Sequence, residues 1–413
     1  MLSIESCGTH FEGIYDIYKN ADYNLVKAIC EYIDNIILKC NNIDVNIQKD
    51  SDGKIDKILI SDDNLKGFES ILKSERENPF NFTHKRIGHQ DDNETSQFGI
   101  GMKAASIAIA KVLTVYTKTN NKYYRVVLDF EEMCKREDSI LSFQPNIYES
   151  SFAEYNKFHK YSSGSSIYLS NIRSNMFSSN LEEDLKTLKN ELNEIYNNII
   201  KQNNCNIFVN NEKLKVLYSF FDHDNCKPFN RTAYLFTVLE KSTNKELYFY
   251  KYNQTFKIFN RNTEKFNNYT YNEFEKKIGD KSYEYLDSFS NKKKYSAIIN
   301  TTFTKFHPKF NCENDKREKD DMPRNILKLY RDGRKYGDWD LKKRSNGSNN
   351  YTASEIHIKS KKLARDLGLT FNKAISNIHN NIICSVIDCL KTEICKGFTA
   401  DSNRKEYVKL YDI

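Results

Sequence analysis

The chain has 413 residues, 39% of them hydrophobic and 13% aromatic, which is enough apolar material for two or three domains and too much for a disordered chain. Sixty-three basic residues against 56 acidic give a net charge of +7, which permits contact with nucleic acid without requiring it. Ten cysteines without a C-x-x-C pair argue against a zinc ribbon or a disulfide scaffold and point to a reducing, intracellular compartment, cytoplasmic or nuclear. No apolar run approaches the roughly 18 residues that span a bilayer.

In chain order, residues 23–40 are expected to be a helix. Leu25, Ile29, Ile33, Ile36 and Cys40 recur at spacings of three and four and form one apolar stripe, with Lys27, Glu31, Asp34 and Asn35 on the opposite face. Two strands, IDVNIQ and KIDKILIS, follow as a hairpin turning at Asp52-Gly53. Residues 64–98 are polar and irregular, with some helix around Phe68–Leu72. Gly99 and Gly101 open a short helix, MKAASIAIAK, and strands follow at VLTVYTK, YYRVVLDF and SSIYLSNI. Residues 180–203 read as a charged amphipathic helix.

Beyond position 205, strands such as NIFVN, KELYFYKY, TFKIFN and YSAIIN alternate with polar turns. Residues 311–325 form a charged loop, KLYRDGRKY a hairpin turning at Asp332-Gly333, and residues 341–354 a polar loop. A final helix covers 372–396, and its Cys384, Cys389 and Cys395 read as small buried hydrophobes. A domain boundary falls near 200.

Four short patterns carry chemistry. Glu31 and Asn35 are one helical turn apart on the same face. A carboxylate there can take a proton from water, and an amide oxygen suits magnesium. Taken alone, the pair reads more readily as a solvated polar face. Asp62-Asp63-Asn64-Leu65-Lys66-Gly67 follows a strand, where an Asp can accept the exocyclic amine of adenine and a Gly lets the backbone approach the base; an ordinary acidic turn is the plain alternative.

Gln97-Phe98-Gly99-Ile100-Gly101-Met102-Lys103 places glycines before a helix, where backbone N–H groups and the helix dipole attract phosphate. It lacks the Walker A spacing. A Rossmann turn would need an acid about 20 residues on, yet no Asp or Glu lies between Glu94 and Asp129. That acid-free stretch instead carries Lys103, Lys111, Lys118, Lys122 and Arg125, which suits an anionic ligand; a structural glycine turn stays open. Gly164-Ser165-Ser166-Ile167 opens a strand with a small hydroxyl beside a glycine.

The order E-x-x-D-N, D-x-x-x-G, F-G-I-G-M-K, G-S-x-I resembles the ATP-binding domain of the GHKL superfamily. That group includes DNA gyrase, MutL, the ninety-kilodalton heat-shock chaperone, sensor histidine kinases and MORC proteins. QFGIGMKAAS and YNNIIKQNNCNIFVNNEKL look most like the MORC branch, and the resemblance covers roughly 20–220. It implies an α+β architecture: a Bergerat-type ATP-binding α/β sandwich over 23–200, with helices on one face of the sheet. An N-terminal arm over 1–22 that serves dimerisation would precede it, and a smaller α/β transducer-like domain of the ribosomal S5 type would follow over 201–413.

It further implies Glu31 as general base, Asn35 as Mg2+ ligand and Asp63 as the adenine acceptor with Gly67 beside the base. Phe98, Gly99, Ile100, Gly101, Met102 and Lys103 would cradle the phosphates, Ser165 would support the adenine site, and residues 84–98 would form a lid. Lys373 would reach the γ-phosphate, with Lys359 and Lys361 as fallbacks. Leu65 stands where the family pattern has glycine, which predicts a crowded adenine pocket, and Leu38 replaces an Asp.

The function so implied is slow, Mg2+-dependent ATP hydrolysis that drives closure of a homodimer acting on DNA. Basic runs at Lys342–Arg344 and Lys359–Arg365 are open to phosphate contact, with a solvated charged face the stronger reading of each. An ATP-dependent chaperone or a scaffold for a partner protein is the alternative. A sensor kinase needs a histidine-bearing helical hairpin before the ATP domain, and a topoisomerase needs a cleavage domain; neither is visible.

Overall fold

The computed structural model describes residues 11–72, 78–82, 101–137, 143–173, 180–202, 204–217, 221, 230–286, 295–303, 326–340, 352–367, 369 and 381–395. The chain divides into two compact units, Met1–Leu217 and Tyr218–Ile413.

The first unit opens with α1 (Phe11–Lys19) and α2 (Leu25–Ile36). The Asn24 side chain caps α2 by accepting from Lys27 N, and Leu25, Ala28, Ile29, Tyr32, Ile33 and Ile36 bury the expected stripe. The helix stops short of residue 40 because the chain must turn into β1 (Asn42–Lys49), which pairs antiparallel with β2 (Ile55–Asp62) across a turn holding Gly53 at φ +80°. A short 3-10 turn covers Glu69–Leu72.

Next come α3 (Gly101–Ile109), β3 (Ala110–Thr119), β4 (Lys122–Asp129), α4 (Phe130–Cys134) and β5 (Asn146–Ser150). They are followed by α5 (Phe152–Phe158), β6 (Ser165–Ile172), α6 (Leu181–Lys201), β7 (Asn206–Val209) and β8 (Glu212–Lys213). The eight strands form one sheet in the order β5-β4-β3-β6-β2-β1-β7-β8, antiparallel except for β1 with β7.

Period-two alternation sets the faces. Val45, Ile60, Ile167 and Val115 form a cross-strand row on one face, in the same apolar core as Ile29 and Ile33 of α2, Ala105 and Ile109 of α3, and Leu188 and Leu192 of α6. The opposite face is covered as well, contrary to the expectation of helices on one face only. Tyr116 stacks on Phe158 of α5 at 4.4 Å, and Arg125 pairs with Glu154.

Two expected boundaries move. Phe11 is buried against Phe82, Phe130 and Phe143, and α1 packs on α3 and α4, so the described part of the 1–22 arm belongs to the core of this unit. The division between units falls after Leu217 and not near 200, because β7 completes the sheet beside β1.

The second unit is a nine-stranded sheet. Its strands are β9 (Arg231–Glu240), β10 (Lys245–Tyr252), β11 (Thr255–Asn260), β12 (Lys265–Tyr269), β13 (Tyr283–Tyr285), β14 (Ala297–Phe303), β15 (Ile326–Arg331), β16 (Arg334–Asp340) and β17 (Thr352–Ile358). The order is β12-β11-β10-β9-β14-β17-β15-β16, with β13 also on β9. Helices α7 (Tyr271–Gly279), α8 (Lys361–Asp366) and α9 (Asn381–Cys395) cover it. Both faces of β10 are buried: Tyr248 and Tyr250 join the cluster containing Leu363 of α8 and Val386 and Leu390 of α9, while Phe249 joins Phe274 of α7. Strand β17 begins at Thr352, inside the expected polar loop.

Candidate nucleotide site

Two residues along from the row of Val45, Ile60, Ile167 and Val115, on the same sheet face, the apolar rows give way to a buried polar one. Asp62 of β2 lies opposite Ser165 of β6, which lies opposite Thr117 of β3. The Thr117 and Ser165 hydroxyls are 2.7 Å apart, and Thr117 Oγ1 accepts the Phe68 N–H at 3.0 Å. Asp62 is 3% exposed. Burial pushes its carboxyl up from 3.8 to about 7, partly offset by backbone N–H groups of Asn64 and Ser165.

Two glycines shape this corner. Gly67, at φ +55°, presses on β3: a Cβ there would lie 2.3 Å from Lys118 O and 2.6 Å from Thr117 Oγ1. Gly164, at φ +117°, lies so close to β2 that a Cβ would meet Asp62 O at 1.9 Å. Both positions need a residue without a side chain.

Asp63, the expected adenine acceptor, sits elsewhere. Its Oδ1 accepts the Asn41 and Asn42 N–H groups at 2.8 and 3.0 Å, and its Oδ2 accepts Asn42 Nδ2 at 2.7 Å. Its carboxylate is committed to the start of β1, and the carboxylate facing the polar row is Asp62. Strand alternation is the reason: Ile58, Ile60 and Asp62 share a face, and Asp63 lies past the strand end. Leu65 is 84% exposed and does not crowd this corner.

The second half of the site joins α2 to the start of α3. The Glu31 carboxylate lies against the backbone of Gly101, where an added Cβ would fall 2.1 Å from Glu31 Oε2. Asn35, one turn on, donates Nδ2 to Glu31 O at 2.7 Å, so its Oδ1 is the acceptor atom of that amide. The two helices are pinned by a buried bond between Tyr32 Oη and Ser106 Oγ, 2.8 Å. Glu31 and the second expected glycine are therefore neighbours, while Gln97, Phe98, Gly99 and Ile100, with the whole of the expected lid over 84–98, lie outside the described residues.

Two residues of the expected phosphate cradle have their side chains turned inward. Met102 packs in the core. Lys103 is 1% exposed and donates Nζ to Pro79 O at 3.0 Å and Asn81 O at 2.7 Å, and burial lowers its ammonium to about 7. Only their backbone N–H groups, in the first turn of α3, suit an anion. The other cations of the acid-free stretch are engaged too. Lys111, Lys122 and Arg125 pair with Glu131, Glu149 and Glu154, and Lys118 donates to Ser162 O. Lys373 lies outside the described residues, as does the side chain of Lys361; Lys359 is exposed.

The donor set fits a magnesium nucleotide. A buried carboxylate beside two hydroxyls suits an amine-bearing base, and a carboxylate and an amide oxygen beside a helix N-terminus suit a hydrated cation on phosphate. Among the described residues there is no cluster of three or more His, Cys, Asp or Glu that could hold a metal. No helix among the described residues is long and apolar enough to cross a membrane. No curated protein matches the chain. Residues 23–165, which contain Glu31, Asn35, Asp62, Gly101 and Ser165, match the family model described as histidine kinase-, DNA gyrase B- and HSP90-like ATPase, a domain of the GHKL type.

Proposed function

We propose that the chain is a slow, magnesium-dependent ATPase. The observation that carries this reading is the Glu31 carboxylate held against Gly101 at the first turn of α3. A general base and an anion-binding helix terminus share one spot, as a γ-phosphate and its attacking water require. Glu31 takes a proton from that water. Asn35 Oδ1 would hold Mg2+, which when bound would offset the phosphate charge. Asp62 accepts the adenine amine, with Ser165 and Thr117 beside it. The backbone N–H groups in the first turn of α3, from Gly101 to Lys103, receive the phosphates.

The finer reading is that nucleotide-driven closure of a homodimer acts on DNA, with Lys373 of the second unit meeting the γ-phosphate. Its support is the MORC-like sequence order and the net charge of +7. Hydrolysis by wild type, Glu31→Ala and Asn35→Ala, with and without DNA, tests both levels. Loss of a positioned base should cost about 10²–10⁴-fold in turnover in Glu31→Ala while ATP still binds. Asn35→Ala should lose magnesium-dependent binding. Normal hydrolysis by Glu31→Ala would end the assignment of the base, and absence of DNA stimulation would end the DNA reading alone.

A further inference from the structure

Helix α6 makes two sets of contacts that converge on neighbouring residues. Its apolar face, with Leu188, Leu192, Tyr196, Ile199 and Ile200, is buried. From that face the Tyr196 hydroxyl donates to Asp34 Oδ1 at 2.8 Å and lies 3.4 Å from Cys30 O. Both acceptors belong to the turn of α2 that carries Glu31 and Asn35. Asp34 is itself 4% exposed, so its orientation is fixed from inside the core.

The other face of α6 has a polar stripe at steps of four, the spacing that stacks side chains along one side of a helix. Lys189 pairs with Glu212. Asn193 Oδ1 accepts Lys215 N at 2.9 Å. Asn197 binds Leu217 through both of its amide atoms: Oδ1 accepts Leu217 N at 2.7 Å, and Nδ2 donates to Leu217 O at 2.9 Å. Leu217 is the last residue of the first unit, and the chain runs from it into the second. Leu214 is anchored in the core at 4% exposure, but the end of the exit segment buries little of itself, with Val216 and Leu217 at 45% and 40% exposure. Residues 215–217 are held by hydrogen bonds that water can replace, so a docked and a released state are both open to them.

We propose that Tyr196 is a positioning residue for the nucleotide helix, and that Asn193 and Asn197 form a latch through which occupancy of the site controls docking of the end of the exit segment, residues 215–217. The inference rests on the ATP-site reading above. A rigid helix joins the two sets of contacts, so a shift of α2 on binding is carried by Tyr196 to Asn197, one residue away. By reciprocity, release of the exit segment alters nucleotide binding by the same factor.

The test uses the full chain, ATP with Mg2+, and three readouts: nucleotide Kd, kcat, and amide hydrogen exchange over 34–37 and 215–217. In wild type, nucleotide should slow exchange over 215–217. Tyr196→Phe keeps the ring and removes one hydroxyl. It should bind ATP within about threefold of wild type, lose roughly tenfold in kcat as Glu31 drifts from its position, and lose the nucleotide-dependent change over 215–217. It should also exchange faster over 34–37 without any nucleotide. Asn193→Ala with Asn197→Ala should keep kcat within about threefold while 215–217 exchanges fast in both states.

A purely structural hydroxyl would lower stability without separating kcat from Kd. Wild-type kcat in Tyr196→Phe, or exchange over 215–217 that ignores nucleotide in wild type, overturns the proposal while ATP binding stands. Failure of wild type to bind ATP sinks the underlying site reading instead, and unchanged exchange over 34–37 in Tyr196→Phe then sinks the positioning role independently.

Discussion

Asp62 and Asp63 are consecutive carboxylates with opposite expected behaviour. Asp62 is buried, and its carboxyl is raised from 3.8 to about 7. The unfolded chain therefore loses this proton near pH 4 while the folded protein keeps it, so between those values raising the pH lowers stability, by roughly 4 kcal/mol in all. Asp62→Asn should melt higher than wild type at pH 8, an advantage that shrinks as the pH falls toward 4, and should bind ATP about 10–100-fold more weakly for want of a charged acceptor. Asp63→Asn should keep ATP affinity within about twofold and cost about 1–2 kcal/mol, since it disturbs bonds to Asn41 and Asn42. Calorimetry across pH and a nucleotide titration of both variants check this. The reverse ranking of affinities would return the adenine role to Asp63.

Gly101 offers a sharper separation of stability from function. It opens α3 and carries no positive φ, so alanine there suits the helix. Its Cβ would nevertheless displace the Glu31 carboxylate, the far end of a flexible side chain. Gly101→Ala should keep or raise the melting temperature while turnover falls about 10–100-fold. Unaltered turnover would mean that the contact between Glu31 and the turn of α3 is incidental.

At the scale of elements, the sequence made periodic segments legible and special residues less so. The stripe of α2, the hairpin at Gly53, and strands β10 and β11 follow from period and turn chemistry alone. The carboxylate that faces the polar row was legible too, in the alternation Ile58, Ile60, Asp62, whereas the motif spacing pointed one residue further on. Thr117 carried no sequence signal: it looks like any β-branched strand residue until β3 and β6 pair and set it beside Ser165. Strand β17 was hidden because TASEIHI is half polar, and a central position between β14 and β15 supplies the burial that its composition does not advertise. Lys103 counted among the cations of a stretch that suits an anion because charge is visible in sequence, whereas side-chain direction, here inward, is not.

The Lys103 side chain fixes the segment 78–82 to α3, a role with its own pH signature. Its ammonium is lowered from 10.5 to about 7 by burial. Between those values the unfolded chain holds a proton that the folded protein has shed, so stability rises with pH from 7 toward 10.5. This limb runs opposite to that of Asp62, and the two together predict a stability minimum near neutrality. Lys103→Met should flatten the alkaline limb only, and should raise hydrogen exchange at Asn81 and Phe82 by removing the donor to Pro79 O and Asn81 O. Melting curves from pH 5 to 10 would show it; an unchanged slope above pH 7 would mean that Lys103 is solvated in solution.

At the scale of the molecule, the placement of the first boundary has consequences for what folds alone. A chain ended at 200 lacks β7, the parallel neighbour of β1, together with Cys205, Ile207 and Val209, all buried in the core of the first unit. It would leave β1 as a bare edge and uncover one flank of the row that ends in Ile43 and Asp62, inviting edge-to-edge association. A chain ended at 217 keeps the sheet at eight strands and keeps Leu217 bound to Asn197. The 1–217 fragment should therefore melt cooperatively and bind ATP, whereas 1–200 should aggregate or lose several kcal/mol, in line with about 1.5–3 kcal/mol for each large apolar side chain exposed. Composition could not mark this boundary, because it shifts where the amphipathic helix ends. The physical boundary lies where the last strand of the first sheet has been paired, and equal stability of the two fragments would move it back to 200.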